Sequence, residues 1–231
     1  QAGVTDFRIV EGEAIVDDAK SGQRVDIRAI DVAVSWPGID RQANVSGKLT
    51  ANGEPLEINA VIARPQALFV AEPTGLKMRF ASAPVRGGFE GTVTNGDTVT
   101  AAGALTLEGA SLRSLLRWLG QNPGIGPSFG PYALKGQVEM LPNSLAFTKV
   151  NAELDGNVAD GALTISFEGT RPLVRGTLDA GRVVATTYVR DLHMTPDGGQ
   201  GWSRRPIDLS AVASTDLDLR VSARELVVGS A

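Results

Sequence analysis

Apolar and polar residues alternate with period two along most of the chain, as in Val45-Ser46-Gly47-Lys48-Leu49, Leu56-Glu57-Ile58-Asn59-Ala60 and Leu163-Thr164-Ile165-Ser166-Phe167. Successive strand side chains point to opposite faces, so each such run predicts a strand with one apolar and one wetted face. The run from Leu217 to Arg224 is the cleanest, with every second residue polar or charged. One side of the predicted sheet therefore meets water.

Turn residues separate these runs. Ala51-Asn52-Gly53, Thr94-Asn95-Gly96-Asp97, Leu154-Asp155-Gly156-Asn157 and Pro196-Asp197-Gly198-Gly199 all carry Asn-Gly or Asp-Gly. Those pairs reach positive φ readily, as the tight turns of antiparallel hairpins require. The expected sheet is antiparallel.

One segment changes period. Leu112, Leu115, Leu116 and Leu119 recur at i, i+3, i+4 and i+7, which predicts a short amphipathic helix near 112–119. Ser111 is placed to cap its start and Gly120 to close it, and Pro123, Pro127 and Pro131 stop it from continuing. Arg113 and Arg117 are expected on the far face, with Trp118 at the border.

The chain also repeats itself. Gly103-Ala104-Leu105-Thr106 and Gly161-Ala162-Leu163-Thr164 share four residues, and Gly47-Lys48-Leu49-Thr50 follows the same plan. In each, a small-residue strand runs through Gly into another strand or, in the middle copy, into the helix. Repeated hairpins lengthen a sheet without requiring a compact centre.

Composition supports many short strands joined by turns, with 27 Gly and 12 Pro in 231 residues. Length alone allows one extended β domain or two small ones. Only 7 Phe, 3 Trp and 2 Tyr are present, few for filling a two-sheet sandwich. The formal net charge is −4 with both signs interspersed, so no continuous positive stripe appears in the sequence and nucleic acid is not an expected partner. The absence of Cys excludes thiolate chemistry and disulfides, and fits either a reducing or an oxidising compartment. A start at Gln1 and an end just after Leu226-Val227-Val228 read as a piece of a longer protein.

Candidate chemistry is sparse. His193 is the only histidine, and no second His or Cys joins it in a metal set. No Ser sits in Gly-x-Ser-x-Gly after a buried strand, and a Ser/His/Asp arrangement would depend on that one histidine. Glu11 with Glu13, Asp17 with Asp18, and Asp216 with Asp218 read as solvated strand charges or a hairpin tip rather than an acid and base pair or a calcium loop. Gly124-Ile125-Gly126-Pro127-Ser128 lacks the Gly-Lys-Ser/Thr ending of a phosphate loop. These readings name no catalytic residue, no metal site and no cofactor.

What remains is the apolar face: Val45, Leu49, Leu56, Ile58, Phe89, Val93, Leu105, Leu107, Leu163, Ile165, Phe167, Leu217, Leu219 and Val221. On periodicity alone, these side chains read as one half of a dry core between two layers.

Several stretches, in order, resemble the AsmA family. They are Phe7 through Asp18, Ile30 through Val34, Gly47-Lys48-Leu49, Gly53-Glu54-Pro55-Leu56, and Leu112 through Gly120. Leu134-Lys135-Gly136, Ala152 through Gly156, Gly169 through Leu173 and Gly176-Thr177-Leu178-Asp179 follow. Gly201-Trp202-Ser203 and Pro206-Ile207-Asp208-Leu209 resemble the family's more carboxy-terminal signature. The resemblance implies a periplasmic β-groove of a Gram-negative envelope protein, anchored in the inner membrane by a segment outside this chain. It further implies that phospholipid moves along the groove toward the outer membrane, and it turns the apolar residues above from core into groove lining.

The expectation is thus a mainly β chain: an elongated, twisted and curved antiparallel sheet with an apolar concave face. It would form one unit over 1–231, with hairpins across 1–110, a helix and Gly/Pro-rich loop across 111–131, and further hairpins across 132–231. About fifteen strands some 4.8 Å apart would extend on the order of 70 Å. Its expected role is non-enzymatic, sheltering phospholipid acyl chains. The alternative is a β-sandwich-like interaction module that binds envelope proteins during outer-membrane assembly.

Overall fold

A computed structural model describes residues 6–17, 24–123, 128–169, 171–186, 188 and 215–229. Twelve strands form a single sheet in which spatial order follows sequence order. The first seven are β1 (Asp6–Asp17), β2 (Arg24–Ser35), β3 (Ala43–Ala51), β4 (Glu54–Ile62), β5 (Thr74–Ser82), β6 (Arg86–Asn95) and β7 (Val99–Gly109). Helix α1 (Leu112–Trp118) interrupts them. The sheet then resumes with β8 (Tyr132–Leu141), β9 (Ser144–Leu154), β10 (Asn157–Ser166), β11 (Leu173–Val184) and β12 (Asp216–Val227). A short 3-10 helix at Pro65–Phe69 joins β4 to β5.

The ladder runs β1 to β12 without closing into a barrel. Each strand packs on its neighbours, and among the described residues no second sheet lies over either face. The two-layer sandwich is therefore not formed by these residues. The twelve strands among the described residues span about 50 Å, against the 70 Å expected of about fifteen.

Turn chemistry set much of this order. Asn52 and Gly53 have φ of 47° and 85°, and Asp155 and Gly156 have φ of 52° and 78°, as the mirror-image turns of two-residue hairpins demand. The Pro196–Gly199 turn and His193 lie outside the described residues. One pair departs from the antiparallel expectation: β12 runs parallel to β11, with Val174 opposite Leu217 and Leu178 opposite Val221. Residues 185–215 separate these strands, and a connection of that length permits a crossover that a tight hairpin forbids.

Three strands carry bulges. The register shifts beside Glu11 in β1, Ala29 in β2 and Lys149 in β9, and these residues adopt φ of 53°, 49° and 52°. Each bulge restores alternation after one extra residue. In β9 it puts Phe147 and Val150, three apart in sequence, on the same face.

Helix α1 begins where Ser111 Oγ accepts the Ser114 N–H at 3.2 Å, and Gly120 follows its end at φ 78°. Arg113 does not face solvent as expected. It is buried, and its guanidinium donates to the carbonyls of Pro123 (2.7 Å) and Ser128 (2.8 Å) while lying over the Phe129 ring. The Leu112 and Arg113 N–H groups donate to the carbonyls of Gly130 and Phe129, and the Arg113 side chain extends the same tie to Pro123 and Ser128. Asp155 holds the same loop from the other side, accepting the N–H of Phe129 and Gly130 and the Tyr188 hydroxyl. At the far end of α1, Trp118 Nε1–H donates to Ala51 O at 2.6 Å, so the helix reaches from the β7 end to the β3–β4 turn.

Candidate functional site

Strand register shows which side chains share a face. Starting from Phe7, the paired positions are Val34, Val45, Ala60, Met78, Phe89, Leu105, Gly136, Val150, Gly161, Leu178 and Val221, one from each strand. No polar side chain occurs among them. The row on one side includes Ile9, Val32, Ile58, Phe80, Leu107, Leu134 and Ala180, and the row on the other includes Leu76, Val138, Phe147, Leu163 and Leu219. Three adjacent rows thus make a continuous apolar band across the sheet, about 14 Å between its outer rows.

Glycines recur inside the band, and their neighbours occupy the space they leave. A Cβ added at Gly87 would lie 2.9 Å from Leu107 Cδ2 and 2.9 Å from Phe80 Cζ, and one at Gly176 would lie 2.7 Å from Leu163 Cδ2. At Gly103 it would lie 2.6 Å from the Gly91 Cα on the next strand. On the polar face, by contrast, a Cβ at Gly88 would keep 3.3 Å from its nearest atom, the Met78 carbonyl oxygen. Strand backbones are therefore drawn together on the apolar side, and large side chains fold over the glycine notches. Small residues thus bring neighbouring strands and side chains together on this face rather than holding it open.

Burial varies along the band. Phe89, Ala101, Val138, Phe147 and Val150 form a dry central cluster on β6 to β9, flanked by half-buried Leu76, Met78, Leu105, Leu163 and Leu178. The ends differ: Phe7 on β1 is 55% exposed, and Leu217, Leu219 and Val221 on β12 are 51%, 39% and 56% exposed. A single sheet buries its centre because neighbours on both sides cover each side chain, whereas the end strands have a neighbour on one side only.

The structure brings thirteen of the fourteen residues expected on the apolar side onto one face: Val45, Leu49, Leu56, Ile58, Phe89, Val93, Leu105, Leu107, Leu163, Ile165, Leu217, Leu219 and Val221. Phe167 lies beyond the last paired residue of β10 and is 48% exposed. Sequence reasoning missed Leu76, Met78 and Phe80, although their alternation with Lys77 and Arg79 was visible. It also missed Phe147 and Val150, which the Lys149 bulge hides from a period-two reading.

The opposite face is charged and ordered by cross-strand pairs, including Lys48–Glu57, Lys77–Glu90, Arg86–Glu108 and Arg175–Asp218. The hydrogen bond that Lys48 donates to Glu57, and then the Glu57 charge, raise the Lys48 pKa above the ordinary lysine value. At the helix-bearing rim, Tyr132 crosses over Gly109 to donate its hydroxyl to Pro84 O at 2.9 Å, and burial pushes its pKa up to about 12. Burial first, and the Asp155 hydrogen bond second, push the Tyr188 phenol up as well.

Among the described residues no helix is long and apolar enough to cross a membrane. No family model, curated protein or solved structure matches the chain.

Proposed function

We propose that this chain is a non-enzymatic lipid-sheltering segment, similar to the AsmA family, that holds phospholipid acyl chains against the apolar band as they pass between envelope membranes. The observation that supports the reading is an apolar band half exposed at both ends, in which two rows without a polar side chain run through twelve strands and a third joins them from β3 to β12. Each CH₂ withdrawn from water is worth about 0.8 kcal/mol, so a lipid tail crossing an aqueous compartment gains most from an extended apolar surface. About 50 Å of sheet is longer than one phospholipid. On this reading the chain works in the periplasm, within a longer inner-membrane-anchored protein, with envelope proteins as neighbours.

On the same reading, a tail first makes contact where the band is most exposed. The central cluster is buried, so on this reading the first contacts fall on β1 and β12, where apolar side chains are half exposed. Progress along the band then requires the side chains above the glycine notches to swing aside.

Native mass spectrometry of protein purified from Gram-negative cells tests the proposal. Phospholipid adducts are expected on the wild type and are lost in Leu219→Glu with the circular dichroism unchanged. A wild type that carries no lipid, and takes none from phosphatidylethanolamine vesicles, would sink it.

A further inference from the structure

Strand β12 ends the sheet, and among the described residues nothing pairs with its outer edge. Its residues from Asp216 to Leu226 are all exposed. We infer that two copies of this chain join through β12, antiparallel about a two-fold axis at Val221, into one continuous sheet.

The two ends of the sheet are not alike. β1 carries a bulge beside Glu11, where φ is 53° and the register against β2 shifts between Ile9 and Gly12. A bulge of this kind bends and twists an edge away from an incoming strand. β12 has no such device: it runs in unbroken register with β11 from Asp216 to Val227, and it contains neither Gly nor Pro. A long, regular, exposed edge offers a row of backbone donors and acceptors to another strand. The regular strand that matches it is a second β12, not the bulged β1, so the contact is the same on both copies and closes as a dimer.

Side chains set the register. With the axis at Val221, residues Asp216 through Leu226 pair, and Asp218 lies opposite the partner's Arg224, twice by symmetry. Arg220 lies opposite the partner's Ser222, which is neutral. The four charges of β12 on this face, Asp216, Asp218, Arg220 and Arg224, sum to zero, so complementarity across the axis rather than a net potential selects the partner. Arg175 takes Asp218 Oδ2 at 2.9 Å, which leaves Oδ1 for a second cation. Arg224 lies across Gly181 and has no ionic partner within the chain among the described residues. Asp179, on the same face of β11, accepts the Ser222 hydroxyl at 2.8 Å.

Neighbouring registers fit less well. An axis at Arg220 sets two arginines face to face, and one at Ser222 sets Arg220 against Arg224. An axis at Leu219 pairs Asp218 with Arg220 but shortens the paired stretch to residues 216–222. On the other face, the Val221 axis sets Leu219 beside the partner's Ala223 and Leu217 beside the partner's Glu225, a carboxylate held within its own chain by Arg182 at 3.3 Å. The apolar faces of both copies lie on the same side, so the band continues across the axis and stays open above it.

Sedimentation velocity from low micromolar to millimolar protein tests this. A strand-edge contact lies at the small end of interface sizes, so the wild type is expected to dimerise reversibly within that range. Arg224→Glu sets a carboxylate opposite Asp218, and Asp218→Arg sets a cation opposite Arg224, so each variant alone should dimerise about tenfold or more weakly. Mixed in equal amounts, the two variants present opposite charges across the axis and should associate about as well as the wild type. Misfolded chains would not be rescued in this way. The chain has no Cys, so a short bis-maleimide should join Val221→Cys to its twin, and Leu217→Cys only when it is mixed with Glu225→Cys. The inference fails if the wild type stays monomeric, if the mixture associates no better than either variant, if Val221→Cys is not joined, or if assemblies grow beyond dimers as β12-to-β1 pairing would make them. Asp218 and Arg224 lie outside the apolar rows, so a monomeric wild type would leave the lipid reading standing, and a lipid-free one would leave the dimer standing.

Discussion

Gly161 stands between Val150 on β9 and Leu178 on β11, and an added Cβ would overlap the Thr177 carbonyl oxygen. The backbone atom cannot swing away as a side chain could, so Gly161→Ala must push β10 and β11 apart. We expect a loss of about 1–3 kcal/mol in urea unfolding. Gly38→Ala, where the nearest atom is the Arg41 Cγ at 3.5 Å, should change the midpoint little. Tyr132 gives a pH test. Its folded pKa, about 12, lies above the ordinary 10.0, so the neutral phenol is favoured in the fold. That contribution is complete below pH 10 and is lost as pH rises toward 12, because the unfolded chain ionises first. A melting temperature that falls between pH 10 and 12, less steeply in Tyr132→Phe, is the expected result; Tyr188 leaves a residual slope of the same sign.

Elements were the most legible feature of the sequence, and their exceptions are instructive. Period two and Asn-Gly or Asp-Gly turns identified most strands because a two-residue turn fixes both direction and register. The bulge at Lys149 and the parallel β11–β12 pair escaped: the one breaks period two by a single inserted residue, and the other depends on where a long connection returns. Helix α1 was readable from its Leu spacing, but Arg113 was not. A helical wheel assigns an arginine to solvent, whereas here its guanidinium turns inward and donates to two loop carbonyls. Arg113→Met keeps the aliphatic stem and removes those donors. Hydrogen exchange should quicken in residues 111–123 while β6 to β9 stay protected, with a global cost of about 2–3 kcal/mol. Equal acceleration across the sheet would mean that the clasp supports the whole fold rather than the helix and its loop.

At the scale of the whole molecule, the sequence showed that apolar residues share a face, but not that the centre of that face is dry and its ends are wet. That gradient arises from how many neighbours a strand has, which only the strand order reveals. The two regions should answer differently to the same change. Phe147 is 4% exposed amid the central cluster, so Phe147→Glu buries a charge without a partner and is expected to abolish cooperative unfolding. Phe147→Ala should cost about 3–5 kcal/mol through the cavity alone. Leu219 sits on an end strand at 39% exposure, where a carboxylate can stay hydrated, so Leu219→Glu should shift stability by about 0.5 kcal/mol or less. Calorimetry on the three variants would show whether the band has a load-carrying middle and free ends. If Leu219→Glu proved as damaging as Phe147→Glu, the β12 end would belong to the core, and no apolar surface would be left there for a ligand to cover.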